Sequence, residues 1–412
     1  MARVYPFRAV RPQPAQAEAV AAVPYDVVDR EEAAALAANR PHSFLHVSRA
    51  EIDLPAQTDP YDELVYRTAA ANFRRMLEHG LLLQDDTPGL YVYRLRMGSH
   101  EQTGLAACFD LDEYERGVIV RHERTRRDKE DDRTRHILEV AAQTGPVFLT
   151  YPASAAVDSL VAAAASGQPL ADFTADDGVH HTTWRVPDDA VPAIITAFET
   201  VPRVYIADGH HRAASALRAR NAIRSKRGST GPLEADRFLA VAFPHTQTRI
   251  LPYHRVVKDL DGYTPDTFLA ALRSRTRVAP GRQEPGGEGR VSMYLAGQWH
   301  EITLEPAPPD AQPAERLDVT LLQQQVLEPV LRIGDPRTDP RIGFVGGIRG
   351  AAELERLVER GDAAVAFAMH PISVDELIAI SDAGGIMPPK STWFEPKLRD
   401  GLLTHVIESG PR

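Results

Sequence analysis

The densest chemistry in the chain lies in one run, Val204 to Arg220, which reads VYIADGHHRAASALRAR. An apolar stretch ends at Asp208 and Gly209, two histidines and an arginine follow, and an Ala-rich segment of helical character begins. A strand that turns sharply into a helix makes an anion site, because the first helical N–H groups lack partners and the dipole's positive end lies there. Gly209 allows a positive φ or a close ligand approach. Arg212 offers a planar fork to phosphate oxygens, and His210 and His211 can donate to phosphate or pass protons. Asp208 would repel a phosphate unless a cation stands between them, and Mg2+ takes carboxylate and phosphate oxygens together. The pattern points to a metal–nucleotide cradle, with a helix cap flanked by surface histidines as the plain alternative. Zinc fits less well. Adjacent histidines do not easily share one ion, and the spacing supplies no third ligand.

Other polar clusters could join this site. Arg121, His122 and Glu123 follow the apolar GVIV and so are expected at a strand end, where Glu123 could take a proton from a hydroxyl nucleophile. Lys129, Asp132, Arg133 and His136 follow at helical spacing, which a solvated charged helix would also show. VPYDVV presents Tyr25 and Asp26, and LPYHRVV presents His254 and Arg255; a turn or core role fits each equally. GDPRTDPRIGFVGG carries Asp335, Asp339 and Arg341 before a glycine turn that could cradle a ligand. MPPKSTWFEPKL holds Lys390, a candidate contact for a substrate carboxylate or phosphate. His180 and His181 in HHTTW read as the exposed face of a polar strand, and Cys108 in LAACF as a small core residue.

The elements that must position these groups can be read from periodicity. Helices are expected in EEAAALAANRP, in YDELVYRTAAANFRRMLEHGLLLQDD with Gly80 near its end, in DKEDDRTRHILE, from Arg212 onward, and in DVTLLQQQVLEPVL. Strands are expected in GLYVYRLRM, QTGLAACFDLDEYERGVIVRHE, PVFLTYP, RVYIADGHH and RFLAVAFP. PGRQEPGGEGRVSMYLAGQWHEITL reads as a Gly-rich turn followed by a hairpin, and the Pro-rich EPAPPDAQPAE as a connector. Alternating strands and helices predict a mixed α/β, or α+β, fold.

Composition narrows the partners. The chain has 412 residues, long enough for two or three domains, with 43% hydrophobic and 25% charged residues. Its formal net charge of -10 argues against nucleic acid as the partner. A single cysteine excludes an internal disulfide framework and a Cys-rich zinc site. No apolar run approaches the ~18 residues of a membrane span, so a cytoplasmic protein is expected. There is no P-loop, no protein-kinase motif set, no G-x-S-x-G elbow and no G-x-G-x-x-G fingerprint. Any nucleotide grip is therefore of another type.

YPFRAVRP, VPYDVV, RHERT, GPVFLTY, IADGHHR, LPYHRVV, RIGFVGG and MPPKSTWFEPKL occur in that order from end to end. In these motifs the chain resembles the uncharacterised bacterial family called domain of unknown function 1015. The run Gly209-His210-His211-Arg212 is also similar to the nucleotide motif of the ParB/sulfiredoxin superfamily, which is Gly-Glu-Arg-Arg in ParB and Gly-Cys-His-Arg in sulfiredoxin. That superfamily includes CTP-hydrolysing switches, ATP-using sulfiredoxin and free serine kinases. The resemblance implies a ParB/sulfiredoxin-like nucleotide-binding and catalytic region over residues 1–275. It implies a C-terminal α/β region over 276–412 that contributes to the substrate site. By the same resemblance Glu123, Asp208 and His210 would be catalytic, with Glu123 as base and Asp208 on Mg2+. The resemblance also sets His211 and Arg212 on ATP or ADP; the reading of the polar clusters adds Gly209, His122 and Arg133 to that nucleotide site, and Tyr25, Asp26, His254, Arg341 and Lys390 to the substrate site. Two departures matter. The sulfiredoxin cysteine falls at His210, which opposes sulfinic-acid chemistry, and the ParB glutamate also falls at His210, which opposes a CTP switch. The expectation is a kinase for the hydroxyl of a free amino acid, L-serine first. A CTP- or ATP-binding regulator and a phosphohydrolase are the alternatives. The expected partners are nucleotide and a small hydroxyl-bearing substrate, with a possible homodimer and neither nucleic acid nor membrane.

Overall fold

Apolar runs of β-branched and aromatic residues form the central strands, because such side chains pack well on a pleated surface. In the computed structural model, which describes residues 1–228 and 231–407, these strands build a nine-stranded sheet. Its main path runs Ile119–Val120, Val204–Asp208, Val147–Tyr151, Arg237–Pro244, His100–Asp110, Tyr91–Met97, His180–Arg185, Ala171–Thr174, and Val4–Tyr5 pairs with His100–Asp110. Val147–Tyr151 is buried along its whole length, and Ile206, Leu149, Phe109 and Phe238 share the core around it. Cys108, on strand His100–Asp110, is fully buried.

Sheet direction positions the candidate site. Val204–Asp208 runs parallel to Ile119–Val120, with Val204 opposite Ile119 and Tyr205 opposite Val120. Parallel neighbours deliver the loops at their C-terminal ends to the same sheet edge, where ligands of α/β sheets commonly bind. Arg121–Glu123 and Gly209–His210 therefore emerge side by side. Helix Arg127–Val140 leaves the first strand's loop and packs on helix His210–Arg227, which leaves the second; Ile137, Ala219 and Ile223 fill the seam. A Gly228 φ of 60° ends the latter helix.

The chain divides into two units, Met1–Thr248 with Pro396–Arg412, and Arg249–Glu395. The division expected at 275/276 thus falls instead at 248/249, and the tail returns to the first unit. The reasons are local. Strand Tyr253–Val257 pairs with Ile342–Gly346 and Val365–Ala368 in the second unit's six-stranded sheet, and Phe268 and Leu272 of helix Pro265–Arg273 sit in that unit's core. Conversely, Thr404–Val406 is inserted between Ala9–Pro12 and Ala142–Gln143 in a four-stranded sheet of the first unit. The Pro-rich connector lies inside the second unit, between Gln298–Thr303 and Asp318–Leu322, where Arg316 donates to the Ala311 and Pro309 carbonyls. The helix expected in DVTLLQQQVLEPVL forms as Asp318–Leu322, a wider turn Gln323–Leu327, and Glu328–Leu331. The wider turn stands just before Pro329, which has no N–H to donate to the preceding turn.

The His180–His181 pair corrects one expectation. His181 is fully buried, not exposed, with its ring bonded to the Tyr93 hydroxyl at 2.9 Å and to Arg399 Nε at 3.2 Å. Strand alternation turns it inward while His180 faces Asp172 at 2.9 Å. Among the described residues no helix is long and apolar enough to cross a membrane.

Candidate functional site

At the start of helix His210–Arg227, Gly209 has φ 94° and ψ 29°, and no side chain caps the helix. A Cβ at Gly209 would stand 3.4 Å from Val147 Cα and from the Arg212 side chain, in a backbone region that favours glycine. The ladder to Val147–Tyr151 slips in register between Ile206 and Asp208. Such bulges re-aim side chains at sheet edges. The Asp208 carboxylate lies 3.7 Å from Lys397 Nζ and 3.6 Å from Arg212 Nη2. Burial opposes its ionisation, but Lys397, Arg212 and His210 outweigh burial and hold it at about 2.

Arg212 reaches under this turn. Its Nη2 donates to both Asp26 oxygens, at 2.9 and 3.0 Å, and its Nη1 to the Pro146 carbonyl at 2.8 Å. Burial pulls against the guanidinium's charge, yet Asp26 and then Asp208 raise its pKa above the ordinary arginine value. The Tyr25 ring has Arg133 at 4.2 Å and Arg212 at 5.8 Å. Arg133 itself is tied to Asp132 at 2.9 Å and to the Ser48 carbonyl at 3.3 Å. Tyr25, Arg133 and Arg212 line a cavity of about 30 Å³ with His136, Gln143 and Asp400. Such a space can hold a water. Neither Asp400 oxygen has a hydrogen-bond partner among the described residues. Burial pushes this carboxyl up to about 7, against Arg212 and with Asp26.

A second cluster faces the helix start. Ligand atoms of His122, Glu123 and His210 all lie within 4.8 Å of one another. The His122 backbone N–H donates to His210 Nε2 at 3.5 Å, which leaves the proton of a neutral His210 on Nδ1, 3.8 Å from Glu123 Oε2. The two imidazoles meet edge-on at 4.4 Å. Burial pulls His122 down to about 4, against the pull of Asp208, and pulls His210 well below its ordinary value with help from His122. Both rings are therefore neutral at pH 7, as a ligand or proton acceptor must be. Neither ring nitrogen of His122 has a hydrogen-bond partner among the described residues. Two imidazoles and a carboxylate are a recognised donor set for divalent cations, which His210 would join by exchanging the His122 N–H contact or the Nδ1 proton for the ion. The adjacent pair His210 and His211 is a poor ligand set for one ion, but the parallel strand supplies His122 as the second imidazole. His211 points its Nε2 at the Arg126 backbone N–H, 3.0 Å away, and so fastens the loop that carries Glu123.

The sequence-predicted residues thus fall into two groups. Tyr25, Asp26, His122, Glu123, Arg133 and Asp208–Arg212 gather in the first unit. His254, Arg341 and Lys390 belong to the second. There His254 Nδ1 accepts from the Met369 backbone N–H at 3.1 Å, and burial lowers the ring to about 4. Arg341 is surrounded by Asp339, Asp259 and Asp261 at 2.9, 3.5 and 3.6 Å. Lys390 Nζ stands 5.6 Å from the Tyr253 ring centroid. Sequence reasoning missed Lys397 and Asp400. Lys397 lies within MPPKSTWFEPKL, where Lys390 drew attention by preceding Ser391 and Thr392; only the returning tail reveals its place beside Asp208.

A family model described as "Protein of unknown function (DUF1015)" matches residues 4–320, and the chain belongs to that family. No curated protein matches. Among solved structures, the chain is similar to a conserved hypothetical protein from Pyrococcus furiosus, at 13% identity and TM-score 0.34, over 73% of this chain and 95% of that one. It is similar to a free serine kinase in complex with AMP, at 11% identity and TM-score 0.34, over 72% and 91%. It is also similar to SbnI with a C-terminal truncation from Staphylococcus aureus, at 11% identity and TM-score 0.32, over 73% and 87%.

Proposed function

We propose that this member of the family transfers a phosphoryl group from ATP or ADP to the hydroxyl of a free amino acid, most simply L-serine. The observation that carries this reading is the pairing of Glu123 with an uncapped helix start. A carboxylate lies 3.8 Å from neutral His210 at the first turn of His210–Arg227, beside Asp208 and Lys397. Phosphoryl transfer asks for charge neutralisation and alignment more than covalent help. In this reading strand Val204–Asp208, Gly209 and the helix form a ParB/sulfiredoxin-like cradle. The backbone N–H groups after Gly209 take phosphate oxygens, and Lys397 adds a cation. Asp208, ionised across the neutral range, is the residue that would hold Mg2+, which when bound neutralises phosphate charge. Glu123 accepts the proton as the acceptor's oxygen bonds to phosphorus and the nucleotide's bridging oxygen leaves. Arg212, committed to Asp26 and Pro146, is a positioning residue for the turn.

The protein is incubated with Mg2+, ATP or ADP, and a panel of hydroxy amino acids, and the mixture is read by phosphorus NMR. A new phosphomonoester that depends on the acceptor is expected; nucleotide left intact in every mixture would overturn the proposal. Glu123→Gln should lower kcat by roughly a hundredfold or more with nucleotide affinity nearly unchanged. The reverse pattern would assign Glu123 to binding. One observation favours a second reading, a phosphohydrolase: the His122–Glu123–His210 donor set suits a divalent cation that activates water. Phosphate released from a phosphoester without any acceptor would select it.

A further inference from the structure

The second unit contains a cavity of about 410 Å³ whose walls are mostly apolar, formed by Val319, Leu327, Ile342, Pro336, Pro388 and Pro389. Arg255 also lines it, although it sits on strand Tyr253–Val257 and is only 4% exposed. Among the described residues no carboxylate lies within ion-pair distance of this guanidinium. It donates one hydrogen bond, to the Tyr253 carbonyl, and stands 5.4 Å from the Phe344 ring centroid. A buried cation without an acid partner carries a desolvation cost that one carbonyl and one aromatic ring offset only in part. Burial accordingly pulls Arg255 down to about 10.

The other charged and hydroxyl groups on the wall are engaged. Asp335 and Arg337 pair with each other through two contacts of 3.0 Å. Thr320 Oγ1 donates to the Ala314 carbonyl at 2.7 Å, and Gln323 Nε2 donates to the Ile333 and Gly334 carbonyls. Gln323 Oε1 has no hydrogen-bond partner among the described residues, but it is wholly buried and offers no surface to a ligand. The wall therefore presents one uncompensated positive charge in an apolar setting. The volume falls within the range of small-molecule sites.

We propose that this cavity binds a small organic monoanion, with a carboxylate head on the Arg255 fork and an aliphatic body against Val319, Leu327 and Ile342. Arginine meets a carboxylate through two parallel hydrogen bonds, and desolvation strengthens them. A dianion would leave a second charge unmatched, and a neutral molecule would leave Arg255 as it is. The site stands on its own geometry, independent of the phosphotransfer reading.

The test is calorimetric titration of the full chain, without nucleotide, with octanoate, octanol and acetate. Octanoate should bind at least tenfold more tightly than octanol, which lacks the charge, or acetate, which lacks the body. Arg255→Met should lose at least tenfold in octanoate affinity while keeping the wild-type circular dichroism spectrum. Gly334→Leu is the second variant. A Cβ there meets no atom within 4 Å, so the side chain grows into open space beside the cavity. It too should weaken octanoate at least tenfold. Absent octanoate binding, equal binding of octanol, or unchanged affinity in Gly334→Leu or in a folded Arg255→Met would each overturn the proposal. None of these outcomes bears on the phosphorus NMR experiment, and a failed kinase assay leaves this site standing.

Discussion

Arg212 and Arg255 are the same side chain at nearly the same burial, 7% and 4% exposed, in opposite electrostatic settings. Arg212 holds Asp26 through two hydrogen bonds and has Asp208 at 3.6 Å, and its charged form is favoured despite burial. Arg255 has a backbone carbonyl and an aromatic ring, and its charged form is disfavoured. Burial alone therefore says little about what a buried arginine does. The carboxylates around it decide whether it is a closed joint of the fold or an open valence facing a cavity.

The sharpest way to break this contrast is to remove each charge in turn and follow unfolding in urea, with hydrogen exchange to separate the two units. Arg212→Met leaves Asp26 and the Pro146 carbonyl without their partner, takes from Asp208 one cation while Lys397 remains, and should cost about 3 kcal/mol. A loss under ~1 kcal/mol would mean that Arg212 is no joint.

Asp400, beneath Arg212, sharpens the same point through pH. Its folded carboxyl keeps its proton up to about 7, whereas the unfolded one releases it near 3.8. The folded state thus binds the extra proton between those values. The stability this contributes is complete below 3.8 and is lost as pH rises through 7. Asp400→Asn should therefore gain on the wild type by about 2 kcal/mol more at pH 8 than at pH 4. A pH-independent difference would refute the shift. His122 runs the other way. Its ring, neutral in the fold down to about 4, makes stability fall as pH drops from 6.5 toward 4.

Gly209→Ala should cost about 1–2 kcal/mol by urea unfolding, because φ 94° is a strained setting for an L side chain. The smallest effect is expected at Arg255. Arg255→Met replaces an unpaired buried charge by an apolar chain and should change stability by less than about 1 kcal/mol. A loss comparable to that of Arg212→Met would show that the Tyr253 carbonyl contact, and not a ligand, is what Arg255 serves.

Much of the local structure was legible from residue order. Asp62 accepts from the Leu64 N–H at the start of helix Glu63–Glu78, and Gly80 turns the chain beyond it with φ 69°. The hairpin Arg290–Leu295 with Gln298–Thr303 follows its Gly-rich lead, and PVFLTYP became the buried strand Val147–Tyr151. The unit boundary was not legible, since no linker marks it. Two pairings far apart in sequence create it, Tyr253–Val257 with Ile342–Gly346 and Ala9–Pro12 with Thr404–Val406. His181 was misread because strand alternation does not say which face is covered. Arg399, 218 residues later, covers it.

For the candidate site, the sequence by itself determined the strand, the turn and the helix start. A β-branched apolar run, a glycine and an alanine-rich segment carry their own backbone preferences within a few residues. It also set the chemical types on offer: a carboxylate, imidazoles and a guanidinium around Gly209. Only the tertiary structure decided which of them meet. The parallel pairing of Ile119–Val120 with Val204–Asp208 put Glu123 and His122 beside His210, and the returning tail put Lys397 beside Asp208. It also gave Arg212 to Asp26 and left Arg255 without an acid. Charge pairing acts over a few ångströms of space, so distance along the chain holds no record of it.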